Sequence, residues 1–128
     1  MLAHLEQRIA DVLTANTTTT LATSGPAGLH ISACPYVYHQ LQMFVVVPGQ
    51  SEHLVNLEIE PGVAMTADGW RVYGRVRTIE TETMPLPVRH LDTRWQYVIV
   101  VTLDRFELIA PDGSTVYETI DIDRADDE

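Results

Sequence analysis

Lysine is absent from this sequence, and several other residue types are scarce. All eight basic residues are arginines, against 18 aspartates and glutamates, so the formal net charge is −10. A chain this acidic lacks the basic surface that nucleic acids and anionic membranes require. Without lysine it also cannot form a Schiff base with a carbonyl substrate. The composition therefore argues against nucleic-acid partners, membrane partners and lysine-based catalysis.

Cysteine is nearly absent too, with Cys34 as its single example. One cysteine excludes an internal disulfide and a cysteine-based zinc site. Cys34 lies in an apolar segment before Pro35, which favours a buried, inert thiol over a reactive one. The five histidines show no metal-ligand spacing, so no metal site is predicted.

Long hydrophobic runs are missing, since no apolar segment approaches the ~20 residues of a membrane span. The first residues also lack the basic and apolar regions of a signal peptide, which predicts a cytoplasmic protein. A length of 128 residues and a hydrophobic content of 45% predict one domain, 1–128, with a substantial core. Residues 121–128 are mostly acidic and are expected to form a solvated tail.

Short segments of β-branched and aromatic residues, separated by turn residues, predict a mainly β fold with minor α content. Apolar residues at helical spacing predict an N-terminal helix over 2–14, and Ser51 opens a short helix to about Glu60. The predicted strands cover 17–23, 29–38, 41–47, 63–67, 70–81, 97–103, 105–109 and 115–120, and a helical turn is expected at 88–93. Six to eight strands with tight turns predict a small, closed antiparallel barrel.

Two of these strands, 41–47 and 97–103, are apolar on both faces. A barrel strand in a monomer should have one face in water. The outward apolar faces need a cover, which the N-terminal helix provides on one side and a second copy of the chain on the other. The pattern therefore predicts a homodimer.

The helix that opens at Ser51 carries the main candidate site. Ser51 is expected to cap it by accepting a bond from the N–H of His53 or Leu54. Leu54 and Leu57 should point inward, while the spacing i, i+3, i+7 puts on one polar face His53, Asn56 and Glu60. This helix start either holds a phosphate with Ser51, the first N–H groups and His53, or is a plainly capped surface helix. Glu52 opposes an anion there.

The strand 70–81 carries a second candidate feature, because Trp70 and Arg71 begin two alternating faces. One face holds Trp70, Val72, Gly74 and Val76, and the other holds Arg71, Tyr73, Arg75 and Arg77. The arginines either receive an anionic ligand or pair with acids on neighbouring strands. Gly74 lets something flat or bulky approach the backbone.

Catalytic motifs are missing: there is no Gly-x-Ser-x-Gly, Gly-x-Gly-x-x-Gly or Walker sequence. No apolar strand carries a carboxylate pair. Of the two tryptophans, Trp95 is the better candidate for stacking on a ligand, while Trp70 is more typical of a core. No catalytic residue can be named.

Three stretches, in their order and spacing, resemble the pyridoxamine 5′-phosphate oxidase-like proteins, the flavin-binding split β-barrels. These are Thr20-Leu21-Ala22-Thr23 with Gly28, the run Pro48 to Leu57 with Pro61 and Val63, and Trp70-Arg71-Val72-Tyr73-Gly74-Arg75-Val76. The resemblance covers roughly residues 5–110. It implies a homodimer with two interface sites for FMN, or in some branches for the deazaflavin F420 or haem.

The resemblance also implies a set of cofactor-binding residues. Ser51 falls where the family has a phosphate-binding serine, His53 where many members have lysine, and Glu52 where the oxidases proper have arginine. Ser32 and Ala33 occupy the region of the second strand where those enzymes place another phosphate arginine. With the candidates noted above, the expected cofactor-binding set is Ser32, Ser51, His53, Asn56, Trp70, Arg71 and Trp95. The departures argue against pyridoxamine phosphate oxidation and against tight FMN binding.

Two functions follow from these observations. The first is an FMN-dependent oxidoreductase, in which the flavin carries the hydride chemistry. The second is a non-catalytic binding protein on the same fold, which holds haem, F420 or another flat ligand, or no cofactor.

Overall fold

The computed structural model describes residues 2–80, 96–113 and 115–122. Two helices and seven strands follow one another along the chain. They are α1 (Leu2–Leu13), β1 (Thr18–Thr23), β2 (His30–His39), β3 (Gln42–Pro48), α2 (Glu52–Leu57), β4 (Gly62–Ala67), β5 (Trp70–Glu80), β6 (Gln96–Ile109) and β7 (Val116–Asp121). The predicted mainly β class, the N-terminal helix and the short helix after the third strand are confirmed.

The sheet is antiparallel, and its strand order is β3-β2-β1-β4-β5-β6-β7. A further pairing of β3 with β6 closes the first six strands into a barrel. β7 lies beside the second half of β6, where Phe106 pairs with Ile120. The barrel is therefore split: β6 leaves β3 after Thr102 and continues alongside β7. The predicted split β-barrel is confirmed.

One strand boundary is wrong in the sequence prediction, which divided β6 near Asp104. The structure instead forms a single strand of 14 residues. β5 explains this continuity, because it pairs with β6 from Val98 to Leu108 and absorbs the irregularity as register shifts. Pairing with β5 thus keeps the polar residues of β6 near Asp104 in an extended conformation.

The turn between β2 and β3 also differs by one residue from the prediction. His39 pairs with Gln42, so the loop consists of Gln40 and Leu41, with φ values of 49° and 64°. Two successive positive φ angles are typical of a type I′ hairpin turn, which usually contains Asn and Gly. The N–H of Leu41 donates to the hydroxyl of Tyr38 at 3.0 Å, which helps to hold this uncommon conformation.

The interior of the barrel is almost entirely apolar, with Trp70, Phe106, Leu21 and Ile99 fully or nearly fully buried. α1 packs on it through Ile9 and Leu13, which have no exposed surface, and through the half-buried Leu5 and Val12. The spacing of these four residues along α1 is the helical spacing from which the sequence predicted the helix. The helix thus covers one side of the barrel, as expected.

A smaller apolar cluster lies on the outer face of β3 and β6, with Val37 beside it. Its members are 0–7% exposed within a single chain: Phe44, Val46, Val98 and Val100. The prediction that these two strands have no face in water is therefore confirmed. Burial within one chain does not by itself require a second copy, and the homodimer stays a prediction.

The first two residues of the predicted acidic tail belong to the folded structure. Asp121 closes β7, pairing with Arg105, and Ile122 is 4% exposed within the main core. β-Sheet pairing and burial of an isoleucine override the local acidic composition at these two positions. Residues 123–128, and the helical turn predicted at 88–93, lie outside the described residues.

Candidate functional site

α2 begins as the sequence predicts. Ser51 has an extended backbone, and its hydroxyl oxygen accepts a hydrogen bond from the N–H of His53 at 3.1 Å. The helix is shorter than predicted, since it ends at Leu57. The carbonyl of Asn56 then accepts from both Ile59 and Glu60, which closes the helix in a turn. Ser51 is therefore confirmed as the N-cap.

Two members of the predicted polar face, His53 and Asn56, point inward and have no exposed surface. The third, Glu60, lies beyond the end of α2 and is exposed. Leu57 is buried as predicted, whereas Leu54 is half-buried and Val55 is 43% exposed. The physical reason is that the hydrogen-bond partners of His53 and Asn56 lie on the β1–β2 hairpin. Buried polar side chains are stable where each finds a hydrogen-bond partner. The helix is thus anchored through its polar residues.

Asn56 connects α2 to three groups of the hairpin. Its Nδ2 donates to the carbonyl of Gly28 at 2.8 Å and to Oγ1 of Thr23 at 3.1 Å. Its Oδ1 accepts from the N–H of Ala27 at 2.9 Å. The contact is close, because a Cβ added to Gly25 would lie 3.0 Å from Cα of Asn56. Asn56 therefore fixes the turn between β1 and β2 against the helix.

His53 joins two strands at once. Its Nδ1 lies 2.7 Å from Oγ1 of Thr23 on β1, and its Nε2 lies 2.7 Å from Oγ of Ser32 on β2. We call the buried group of Thr23, Ser32, His53 and Asn56 the polar joint. Sequence reasoning missed Thr23, because a threonine at the end of a β-branched strand carries no sign of a long-range partner.

Both ring nitrogens of His53 face hydroxyl groups. An amide nitrogen can only donate, so Thr23 Oγ1 accepts from Asn56. A hydroxyl has a second lone pair as well as its hydrogen, so Thr23 and Ser32 can each donate to His53 or accept from it. Both ring nitrogens therefore find a partner in either tautomer of the neutral ring.

Burial and, to a lesser degree, the neighbouring His30 lower the pKa of His53 from 6.5 to about 4. The two imidazole rings meet edge to face with their centroids 4.5 Å apart. His30 in turn lies beside Glu52, with Nδ1 3.5 Å from Oε2. His53 is therefore neutral at neutral pH and cannot supply the positive charge that a phosphate-binding lysine would.

Ser32 completes the joint on β2 and is half-buried. Its hydroxyl lies 3.7 Å from the sulfur of Cys34, which is 2% exposed. Burial raises the pKa of the Cys34 thiol, so the protonated form dominates at neutral pH. This environment fits the inert thiol that the sequence favoured.

The arginines of β5 mostly pair with acids, the second of the two predicted outcomes. Arg71 donates to Glu107 at 2.7 Å, and Arg75 donates to Asp104 at 3.1 Å. Arg77 instead donates to the hydroxyl of Thr102 at 3.2 Å. The charges of Arg71 and Arg75 are therefore largely neutralised before any ligand arrives.

Gly74 allows a close approach to its backbone, as the sequence predicted, and the group that approaches is the neighbouring strand. A Cβ at this position would lie 2.5 Å from the carbonyl oxygen of Thr102 and 2.7 Å from a methyl group of Val101. The close neighbour is β6, at one of the register shifts between the strands. Gly74 is thus needed for strand packing.

Trp70 belongs to the core rather than to a surface site. It has no exposed surface, and Tyr36 packs against it edge to face at 6.0 Å. Its indole N–H is the one buried side-chain polar atom without a hydrogen-bond partner among the described residues. Trp95, the other tryptophan of the implied set, lies outside the described residues.

Two clefts of ligand size border these elements. The helix-start cleft, next to Ser51, has a volume of about 540 Å³ and is lined by Pro48, Gly49, Gln50 and Tyr97. The outer-face cleft has a volume of about 490 Å³, and its lining includes Ala22, Leu29, Ala64, Tyr73 and Arg75. Both volumes fall within the range of small-molecule sites, ~300–1,000 Å³.

Within the described ranges, no three His, Cys, Asp or Glu side chains are arranged to hold a metal ion. The helices of that same part of the chain are too short or too polar to span a membrane.

No protein-family model matches the sequence, and neither does any curated protein. Solved structures are similar in fold. General stress protein 26 from Bacillus anthracis is 17% identical, with a TM-score of 0.66 over 92% of this chain and 98% of that one. A Clostridium acetobutylicum protein related to general stress protein 26, of the pyridoxinephosphate oxidase family, is 11% identical, with a TM-score of 0.68 over 94% and 96%.

An F420 reductase is also similar, at 18% identity and a TM-score of 0.57 over 70% of this chain and 88% of the other. Identities this low establish the fold alone. The chain therefore has the split β-barrel fold of the pyridoxamine 5′-phosphate oxidase-like proteins.

Proposed function

We propose that this protein binds a flavin-type cofactor, with FMN as the first candidate and F420 or haem as alternatives. The observation that carries the proposal is the split barrel with a cleft of about 540 Å³ beside the Ser51 cap. Structures of this fold include an F420 reductase and a member of the pyridoxinephosphate oxidase family. A flavin or deazaflavin would bring hydride chemistry, haem would bring one-electron chemistry, and the chain would bind and orient the group.

The residues present fit a flat ring better than they fit a phosphate. Tyr97 and Pro48 offer apolar surface in the helix-start cleft, and the Ser51 hydroxyl can donate to one phosphate oxygen. Against this, Glu52 is exposed in the first turn, and His53 is neutral and turned inward. We therefore expect FMN to bind with modest affinity.

One observation favours a second function, that of a non-catalytic binding protein on the same fold. His53 and Asn56, which the resemblance implies as cofactor residues, are both committed to the polar joint. Arg71 is likewise committed to Glu107. A chain that uses these residues for its own structure retains few groups to act on a substrate.

We also propose that the protein is a homodimer, through a surface other than the one the sequence suggested. Leu29, Ile31 and Ile59 are 73%, 57% and 72% exposed. Ile31 begins a cross-strand row on the outer face that continues through Ala22 and Ala64 to Tyr73. Exposed apolar residues beside small ones are typical of an interface.

Light scattering should give about twice the 14.3 kDa mass of one chain, and Ile31→Arg should halve the measured mass. A monomeric wild type would exclude the dimer.

The cofactor proposal is tested by the absorption spectrum of the purified protein and by titration with FMN. Glu52→Arg replaces a repelling charge with an attracting one at the helix start, so FMN should bind at least about tenfold more tightly at low salt. Riboflavin, which lacks the phosphate, should bind equally to both forms.

Glu58→Arg is the matched control, because Glu58 is an exposed glutamate at the other end of α2. It makes the same change in net charge and should alter FMN binding little. An equal gain from both variants would mean that net charge acts at a distance. Wild type and Glu52→Arg that both ignore FMN and riboflavin would contradict the cofactor proposal.

A further inference from the structure

We propose that α2 is a pH-sensitive lid, which acid releases from the β1–β2 hairpin through His53 while the barrel stays folded. The inference concerns the chain alone and does not depend on a bound flavin. It is carried by the polar joint, in which a fully buried histidine links the helix to two strands.

The ring of His53 is held between two hydroxyl groups, with Nδ1 2.7 Å from Oγ1 of Thr23 and Nε2 2.7 Å from Oγ of Ser32. Thr23 Oγ1 also accepts from Asn56. A second ring proton would make both ring nitrogens donors, and neither hydroxyl carries a negative charge that would offset the cation.

The surroundings do not compensate the charge that this proton adds. From β2, His30 meets the ring edge-on at 4.5 Å, and the buried thiol of Cys34 lies behind Ser32. From β1, Thr23 contributes a hydroxyl. On α2 itself, Glu52 is directed to His30. In the described ranges no carboxylate pairs with His53, so a charged ring would be buried without a counter-ion.

Release of α2 should precede unfolding of the barrel, because the helix contributes little to the apolar core. Of its six residues, Leu57 is the buried apolar one and Leu54 is half-buried, while the other two buried residues are His53 and Asn56. The barrel strands, in contrast, are joined by continuous ladders around a large apolar core. Elements with few buried apolar contacts open at lower free energy than core strands.

The direction of the pH effect follows from the pKa of His53. Its folded value is lowered to about 4 from 6.5, so the docked helix holds the neutral ring and the released helix takes up a proton. Docking is therefore fully stable above about pH 6.5 and weakens as the pH falls towards about 4. Between these limits, the equilibrium constant for release should rise by roughly tenfold for each pH unit.

The test is amide hydrogen exchange of the full chain by mass spectrometry from about pH 7 to about pH 4, corrected for the intrinsic rate. In the wild type, protection of α2 should fall by roughly tenfold per pH unit, while protection of β3 persists. His53→Gln keeps an acceptor and a donor but does not titrate, and its α2 should exchange independently of pH. Equal protection of α2 at all pH values would overturn the proposal. So would simultaneous loss in α2 and β3, or the wild-type pH profile in His53→Gln.

A measurement on the wild type keeps the proposal testable if His53→Gln does not fold. The ring protons of His53 and the side-chain amide of Asn56 should shift together in an NMR titration, with a midpoint well below the ordinary 6.5. An ordinary midpoint for His53, or an Asn56 amide that does not respond, would contradict the lid.

Discussion

The barrel interior and the polar joint are stabilised in opposite ways, although they lie only a few residues apart. In the interior, residues such as Leu21 and Ile99 are fully buried among other apolar side chains. In the polar joint, His53 and Asn56 are equally buried but contribute through directed hydrogen bonds. Burial alone therefore does not distinguish core from joint.

The two regions should therefore respond differently to substitution and to acid. Apolar burial depends on volume and tolerates a swap that conserves it. A hydrogen-bonded joint depends on partners, and losing one partner leaves the others buried and unsatisfied. The joint contains a buried histidine whose pKa is lowered by its surroundings, so the joint should respond to mild acid.

The largest effect should come from truncating the interior. Leu21→Ala removes a fully buried side chain of β1 and should lower the free energy of unfolding by about 3 kcal/mol, through lost burial and the resulting cavity. Leu21→Met, which conserves volume, should cost less than about 1.5 kcal/mol. Chemical denaturation measures both. Equal losses would mean that shape rather than volume governs the interior.

Asn56→Ala should weaken the joint by about 2 kcal/mol, because it leaves the N–H of Ala27 and the carbonyl of Gly28 without their partner. Val55→Ala, on the exposed side of the same helix, should change stability by less than about 0.5 kcal/mol. If the two variants were equally stable, the hydrogen bonds of Asn56 would make no net contribution to the free energy of unfolding. The joint would then not be stabilised by its hydrogen bonds, contrary to the contrast between joint and interior.

Acid should change the free energy of unfolding by somewhat less than Leu21→Ala or Asn56→Ala, and it should act through the joint. With the pKa of His53 at about 4 in the folded state and 6.5 unfolded, the unfolded chain binds the additional proton. The free energy of unfolding should therefore fall by about 1.8 kcal/mol more, between pH 7 and pH 5, in the wild type than in His53→Gln. Denaturation curves at the two pH values give the difference. Parallel behaviour of the two proteins would show that His53 is not buried in neutral form.

Trp70 is an exception to the contrast between interior and joint. Its indole N–H is buried in the apolar interior and has no hydrogen-bond partner among the described residues. Trp70→Phe loses apolar area but also removes a donor that costs about 1–3 kcal/mol to bury. The net change should be within about 1 kcal/mol. A loss above about 3 kcal/mol would reveal that the indole N–H has a partner in solution.

Much of the architecture could be predicted from sequence because it depends on local patterns. Alternating apolar residues and the Ser51 cap each act within a few residues. The division of β6 at Asp104 was wrong because β5, distant in sequence, holds that segment extended.

The candidate site was harder to predict, because its residues change role with their neighbours. The sequence put His53, Asn56 and Glu60 on one polar face of α2, and helical geometry alone makes that face look solvated. Only the fold brings Thr23 and Ser32 to the same place and turns His53 and Asn56 inward, while Glu60 stays exposed beyond the end of α2. The roles of Trp70 and Gly74 could likewise not be predicted from the alternation of residues along β5. Trp70 packs against Tyr36, and Gly74 packs against β6.

The sequence by itself determined the strands, the two helices, the cap at Ser51 and the exclusion of disulfides, because each depends on residue type and short spacing. Only the tertiary structure decided that α2 docks by polar contacts, that the arginines of β5 meet Glu107 and Asp104, and that the outer face of β3 is already buried. The physical reason is that hydrogen-bond and charge partners come from strands far apart along the chain. Their proximity depends on how the barrel closes, which no local pattern contains.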